Sequence, residues 1–324
     1  MKRRQLIVAS AAALAAPSIV RAQTKYPDRP VRLIVPFPPA GPTDIIGRMV
    51  AEKMTGLLGQ NMVVENKAGA AGSIGAVEVK NAKPDGYTFL FAPSSTHAIN
   101  PTAFVKPLYD PIKDFTPISS ICVNPLVIVA HPSMPDTLMG LVELMKKNPG
   151  KYSYGSSGAG GITHLAGEYL KMSVGGMNVE HIPYRGSMPA LQDMMAGNVV
   201  WMFETISTTL QFHRQGRVRI LGYAHAKRAP AAPDIPTVIE AGVPGYEAYT
   251  FNLILGPANT PKEVVDVVDQ ATRKLMTDKA FTDSLEKIAA VPALDTTPER
   301  TEKFIKDELA KWAPVIKAAG VKIE

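Results

Sequence analysis

The chain has 324 residues and one cysteine, so it is long enough to bury its own core and Cys122 cannot close an internal disulfide. Its formal net charge is +6 at pH 7, and four of those positive charges are Lys2, Arg3, Arg4 and Arg21, all ahead of the first acidic residue, Asp28. With that leading cluster set aside, no Lys/Arg stripe with interleaved aromatics remains, which excludes a nucleic-acid-binding surface.

The first segment reads as an export signal, residues 1–22. "MKRR" is a basic n-region, "QLIVASAAALAAP" an apolar h-region too short to span a bilayer, and "VRA" a small-residue cleavage site ending at Ala22. Arg3-Arg4 leaves both the general and the twin-arginine export routes open. Either route places the mature protein in the periplasm.

Val31–Pro36 predicts a strand, followed by a proline-filled turn and a helix over Asp44–Leu58. Pro36, Pro38, Pro39 and Pro42 offer no amide, so the nearby donors are Phe37, Ala40, Gly41, Thr43 and Asp44. Pro42 suits the first helical position, with Gly41 as N-cap. A stiff loop at a helix N-terminus can hold a small anion; equally, it can be a tight strand–helix connection. No G-x-x-x-x-G-K-[ST] follows, so a P-loop is excluded. On this reading Ala40→Pro should remove one donor and leave the fold intact.

Met62–Glu65 predicts a second strand. "ENKAGAAGSIGAVEV" lacks G-x-G-x-x-G spacing and reads as a close-packed connection into a helix over Ile74–Lys80. After the strand Tyr87–Phe91, "FAPSSTHAINP" puts Ser94, Ser95 and His97 where they either face a cleft or cap the next turn. Cys122 lies in the apolar run Ile118–Ala130 and reads as buried and inert. A helix over Thr137–Lys147 follows.

The strand Tyr152–Gly155 leads through "SSGAGG" into a helix over Thr163–Met172. Here Ser156, Ser157, Gly158 and Gly160 repeat the strand–loop–helix arrangement of the first turn, with glycines allowing close backbone approach. The same loop nearly matches a G-x-S-x-G elbow, but Ala159 replaces the last glycine and His164 and His181 follow too soon for a hydrolase triad. Later strands are Val179–Pro183, Val199–Phe203, Val218–Tyr223 and Ala248–Gly256, with helices over Met188–Met195 and Lys262–Met276. Tyr184, Arg185, Glu204 and Thr205 stand on loops after two of these strands. The histidines are scattered, with no metal-ligand spacing, and no cofactor motif occurs.

Alternating strands and helices predict an α/β fold with largely parallel sheets. The two long strands, in "PISSICVNPLVIVAHP" and "YEAYTFNLILGPANTP", suit a hinge between two lobes: residues 23–123 plus 251–324, and residues 124–250. Loops at the strand C-terminal ends would then converge on an interlobe cleft.

"YPDRPVRLIVPFPPAGPTDIIGR", "VVENKAGAAGSIGA", "KPDGYTFLF", "INPTAF", "YGSSGAGGITHLAGE", "IPYRGSMPALQDMMAGNV", "PDIPTVIEAGVPGYEA" and "GPANTPKEVV", in this order, resemble the periplasmic substrate-binding proteins of tripartite tricarboxylate transporters, the Bug family. The resemblance covers the mature chain. It implies a two-lobed periplasmic-binding-protein fold of type II style, no catalysis, and capture of a small carboxylate for membrane permease subunits by a protein expected to be a monomer. It makes Phe37, Ala40, Gly41, Thr43 and Asp44 the first-lobe clamp, and Ser156, Ser157, Gly158 and Gly160 its second-lobe counterpart. Three departures stand out: Ala40 where a glycine is usual, Lys67-Ala68 for Arg-Pro, and Glu204 where aspartate is common. A periplasmic sensor feeding a membrane receptor would carry the same sequence.

Overall fold

Among the described residues ten segments become the strands β1 (Val31–Val35), β2 (Met62–Asn66), β3 (Thr88–Pro93), β4 (Phe115–Ala130), β5 (Ser153–Ser156), β6 (Glu180–Pro183), β7 (Trp201–Thr205), β8 (Arg219–Tyr223), β9 (Tyr249–Pro257) and β10 (Val291–Pro292). The structure is a computed structural model describing residues 26–324; the leader read over 1–22 lies outside the described residues. The strands join in the order β2-β1-β3-β9-β4-β7-β5-β6, with β8 and β10 also paired to β4.

Two α/β halves share β4. In the first, β1 runs parallel to β2 and β3, and β9 is antiparallel to β3 and β4. In the second, β5 runs parallel to β6 and β7, while β4 is antiparallel to β7 and β8. Within β4 the register changes partner between Pro125, opposite Tyr249, and Leu126, opposite Thr205. Irregular pairings near Ser119 and Cys122 bend the strand on its way across.

The second crossing is thinner than the sequence suggested. β9 pairs only within the first half, and the chain crosses at Ala248, which accepts the Leu126 amide at 2.9 Å and donates to Ala224 O at 3.0 Å. The two connections therefore lie side by side at Leu126 and Ala248.

Helices cover both faces, which is why the parallel strands read as continuous apolar runs rather than alternating ones. In the first half, Ile46, Val50 and Met54 of the helix Pro42–Leu58 pack with Val268 and Leu275 of the helix Lys262–Met276. In the second, Leu191 and Met194 of the helix Ser187–Met195 pack on Val127 and Met202. Tyr154 stacks on Trp201 at 4.6 Å, an arrangement worth about 0.5–1.5 kcal/mol beyond its burial.

The helix Pro298–Ala318 belongs to both halves. It packs on β4 and on the helix Ile162–Ser173. Its buried Trp312 meets Tyr169 edge-on at 5.7 Å and donates Nε1–H to Glu308, which also receives the Tyr249 hydroxyl.

Candidate functional site

The first strand–helix turn is held by a buried carboxylate. Ala40 is left-handed, with φ +65°, and donates its amide to Asp44 Oδ2 at 2.9 Å. Arg48 Nε reaches the same oxygen at 2.9 Å, and Asn66 Nδ2 reaches Oδ1 at 2.8 Å while also donating to Phe37 O. Burial alone would raise the Asp44 pKa, but the Arg48, Asn66 and Ala40 bonds outweigh it and hold it below the usual carboxylate range. Gly41 is the helix N-cap, without a side-chain cap, and Pro42 opens the helix. Among the described residues the amides of Phe37, Gly41 and Thr43 have no partner, so they remain available to a ligand.

The second turn repeats this geometry with different chemistry. Gly160 is left-handed, with φ +75°, and donates its amide to His164 Nδ1 at 3.0 Å. Gly161 caps the next helix with φ −75° and ψ 167°, against −79° and 166° for Gly41. Thr163 Oγ1 accepts the Ser157 amide at 3.1 Å, and Ser156 Oγ accepts that of Gly158 at 3.2 Å. The amides of Ala159, Ile162 and Thr163 have no partner among the described residues.

Two stacked histidines stand behind this second loop. His164 and His181 lie face to face at 3.7 Å, 7° from parallel, and His181 Nε2 is 2.7 Å from Ser156 Oγ. Burial pushes the His164 pKa down; burial, together with the adjacent His164, pushes that of His181 down to about 4. Both rings are therefore neutral, and His164 Nδ1, which accepts the Gly160 amide, carries no proton. Below them Tyr154 and Lys171 both donate to Glu168.

Between the two turns lies a cavity of about 580 Å³, and among the described residues no side chain lining it is charged. Phe37, Pro39, Gly41 and Thr43 of the first turn and Ser157 and Gly160 of the second line it, and Ser94 and Ser95 lie at the end of β3. Ser94 Oγ is 2.9 Å from Thr250 Oγ1, tying β3 to β9 beneath the cavity.

The other predicted residues lie elsewhere. Ala40, Asp44, Ser156 and Gly158 stand behind the cavity lining, where their hydrogen bonds shape the two turns, so the Ala40 amide is already used and is not a free donor. His97 is fully buried, edge-on to Phe115 at 4.7 Å, and burial lowers its pKa to about 3; it is a core residue. Tyr184 donates its hydroxyl to Asp193 at 2.5 Å, and Arg185 is exposed, with no ion-pair partner among the described residues. Glu204 is buried, accepts the Thr205 amide at 2.8 Å, and has its pKa raised by that burial. Thr205 Oγ1 lies 2.8 Å from Thr208 Oγ1. A position at a strand end does not ensure exposure to the cleft, because the next helix can draw the side chain under itself.

Asn100, Thr250 and Ile323 line the cavity without having been anticipated. Asn100 had a local signal in the polar run after β3. Ile323 had none: it is brought in from the far end of the chain by donating its amide to Ala103 O at 2.8 Å and accepting that of Val105 at 3.0 Å.

Residues 46–321 match the TctC family, described as the tripartite tricarboxylate transporter family receptor. The chain is 33% identical over 320 residues to protein BugT of Bordetella pertussis, covering 98% of this chain and 97% of that one. It is similar to a structure of Rpa4515 of R. palustris with adipate, at 32% identity and a TM-score of 0.77, covering 92% of this chain and 99% of that one. It is also similar to the periplasmic binding protein BugD, at 34% identity and a TM-score of 0.74, over 92% of this chain and 100% of that one.

Proposed function

The chain belongs to the tripartite tricarboxylate transporter receptor family, whose members are periplasmic solute-binding proteins rather than enzymes, and from that premise we propose how it binds. It captures a small organic carboxylate in the cleft between its lobes and hands it to membrane permease subunits, acting as a monomer after removal of residues 1–22. The lobes are residues 23–123 plus 251–324, and residues 124–250. The free amides of Phe37, Gly41 and Thr43 grip the acid from one side, and those of Ala159 and Ile162 from the other. Ala40, Asp44, Ser156 and Gly158 serve by holding those amides in place.

One observation carries this reading: two uncapped helix N-termini with matching N-cap geometry, at Gly41 and Gly161, one in each half of the sheet, line one cavity. Each supplies unpaired N–H groups and the positive end of a helix dipole. A hydrogen bond to a charged group contributes about 1.5–3 kcal/mol, so three or four suffice for micromolar affinity, near −8 kcal/mol. A ligand contacting both turns at once favours the closed arrangement, a population shift that a permease can read.

Calorimetry on protein unfolded, freed of carried ligand and refolded tests the reading. Carboxylates, adipate among them, should bind and their neutral amides should not. Equal binding of acid and amide would remove the anion clamp, and no heat from any acid would remove the carboxylate assignment.

A further inference from the structure

Two buried polar atoms in the cleft lack a partner. The chain after β3 makes a π-helical turn, Ser95–Ile99, closed by the Asn100 amide bonding to Ser95 O. That bond stacks residues i and i+5 of the turn, and Ser95 and Asn100 both line the cavity. Such turns recur at functional sites. Ser95 Oγ and Asn100 Oδ1 are each buried without a hydrogen bond among the described residues, and Asn100 is 2% exposed.

The orientation of the Asn100 amide is fixed by its neighbours. Nδ2 donates to Ala71 O at 3.0 Å and approaches Ser73 Oγ at 2.9 Å. A carbonyl oxygen can only accept, so the nitrogen must face Ala71 and the oxygen is left to seek a donor. A buried acceptor without a donor is costly, about five- to 150-fold in an equilibrium. A ligand in the cavity that Asn100 lines can relieve it.

The chemistry of that group follows. It must donate to Asn100 Oδ1, which excludes an ionised carboxylate. A neutral hydroxyl suits it, bringing no second charge into a lining whose side chains are uncharged among the described residues. It also meets the Ser95 hydroxyl, which can donate to it or accept from it. Building on the carboxylate clamp proposed above, we propose that Ser95 and Asn100 form a subsite for a hydroxyl group, and that the ligand is a hydroxy acid with a single carboxylate, an apolar body and an alcohol or phenol O–H remote from the acid. The apolar body lies against Phe37, Ile99 and Ile323.

Refolded wild-type protein and the Ser95→Ala variant should be titrated with matched series at several lengths: 4-hydroxybutyrate, butyrate, succinate and 4-aminobutyrate; 6-hydroxyhexanoate, hexanoate, adipate and 6-aminohexanoate; 4-hydroxybenzoate, benzoate and terephthalate. In at least one series the hydroxy acid should bind about tenfold or more tightly than its dicarboxylate, amino and unsubstituted counterparts. Ser95→Ala should bring the affinity for the hydroxy acid to within about twofold of that for the unsubstituted acid in the same variant. A dicarboxylate or amino acid that matches or exceeds the hydroxy acid in every series would overturn the subsite and leave the carboxylate clamp standing. An undiminished hydroxyl preference in Ser95→Ala would also overturn it. Failure of every acid in the panel would remove the clamp, and the subsite with it.

Discussion

Ala40 and Gly160 hold the same place in two different loops. Each is left-handed, immediately precedes a helix N-cap, and donates its amide to the side chain four residues on, Asp44 in one case and His164 in the other. The equivalence explains why both turns keep their outer amides free: the inner one is tied down. It also exposes an asymmetry, since one lobe has glycine at the strained position and the other has alanine.

That asymmetry is measurable. A left-handed L-residue costs roughly 1–2 kcal/mol, partly offset in Ala40→Gly by the greater freedom of glycine in the unfolded chain. Ala40→Gly should therefore stabilise the protein by about 0.5–1 kcal/mol, raising the melting temperature by roughly 1–2 °C, with acid affinity retained. Ala40→Pro, which looked from the sequence like a clean amide deletion, is the opposite. Proline cannot adopt φ +65° and cannot donate to Asp44, so this variant should melt well below wild type. A melting point equal to wild type would contradict the left-handed assignment.

A cleaner deletion is available in the second lobe. Ile162 is the first helical residue, its amide is unpaired, and Gly161 before it has an extended conformation that tolerates a following proline. Pro42 already occupies the equivalent place in the first turn. Ile162→Pro should keep the fold and weaken carboxylate binding about tenfold or more, as loss of one charge-assisted bond requires, whereas Ile162→Val should leave affinity near wild type. Equal affinity in both variants would remove this amide from the clamp.

The two turns were legible because they are local. Strand, glycine or proline, and helix start lie within a dozen residues, and each leaves a sequence signature. Which donors are free was not legible: the Ala40 and Gly160 amides are taken by Asp44 and His164 four residues on, and those side chains are held in place by Asn66 and His181, which arrive from other strands. The same limit misplaced His97 and Glu204, whose strand-end positions suggested the cleft while their side chains pack inward. β4 was visible as an overlong apolar run, but the narrow crossing at Ala248 was not, because two backbone bonds leave no pattern in composition. Ile323 lies more than two hundred residues from Ala103 and Val105, the backbone it joins, so only the folded chain could reveal it.

His164 should act as a positioning residue. His164→Ala leaves the Gly160 amide without its acceptor and should weaken acid binding about five- to 50-fold, since a misplaced turn loses its hydrogen-bond geometry. His164→Asn is the discriminating companion: its short carbonyl can accept the amide four residues back, as Asp44 does for Ala40, and should restore most of the affinity. If Ala and Asn variants bind equally, the ring serves packing and not the loop.

Acid sensitivity provides the last test, and its sign follows from burial. The pKa of His97 falls to about 3 and that of His181 to about 4 in the folded protein, against about 6.5 for an unfolded histidine. Between those limits the unfolded chain binds more protons. Stability from each ring is therefore complete above pH 6.5 and is lost as pH falls through the window toward the folded value, at about 1.4 kcal/mol per pH unit. Carboxylates held low, such as Asp44, lose their contribution only at still lower pH. Glu204 and Asp269, whose pKa values are raised by burial, work in the opposite direction, so the slope of wild type alone does not identify a residue. The difference between proteins does. His97 sits among Phe115, Tyr109 and Thr96, with no charged partner among the described residues, and phenylalanine fills the same space without titrating. The fall in melting temperature from pH 7.5 to pH 5.0 should be smaller in His97→Phe than in wild type by several degrees, whatever the variant's stability at neutral pH. An identical fall in the two proteins would mean that His97 titrates in the folded state much as it does in water, and would remove it from the buried core.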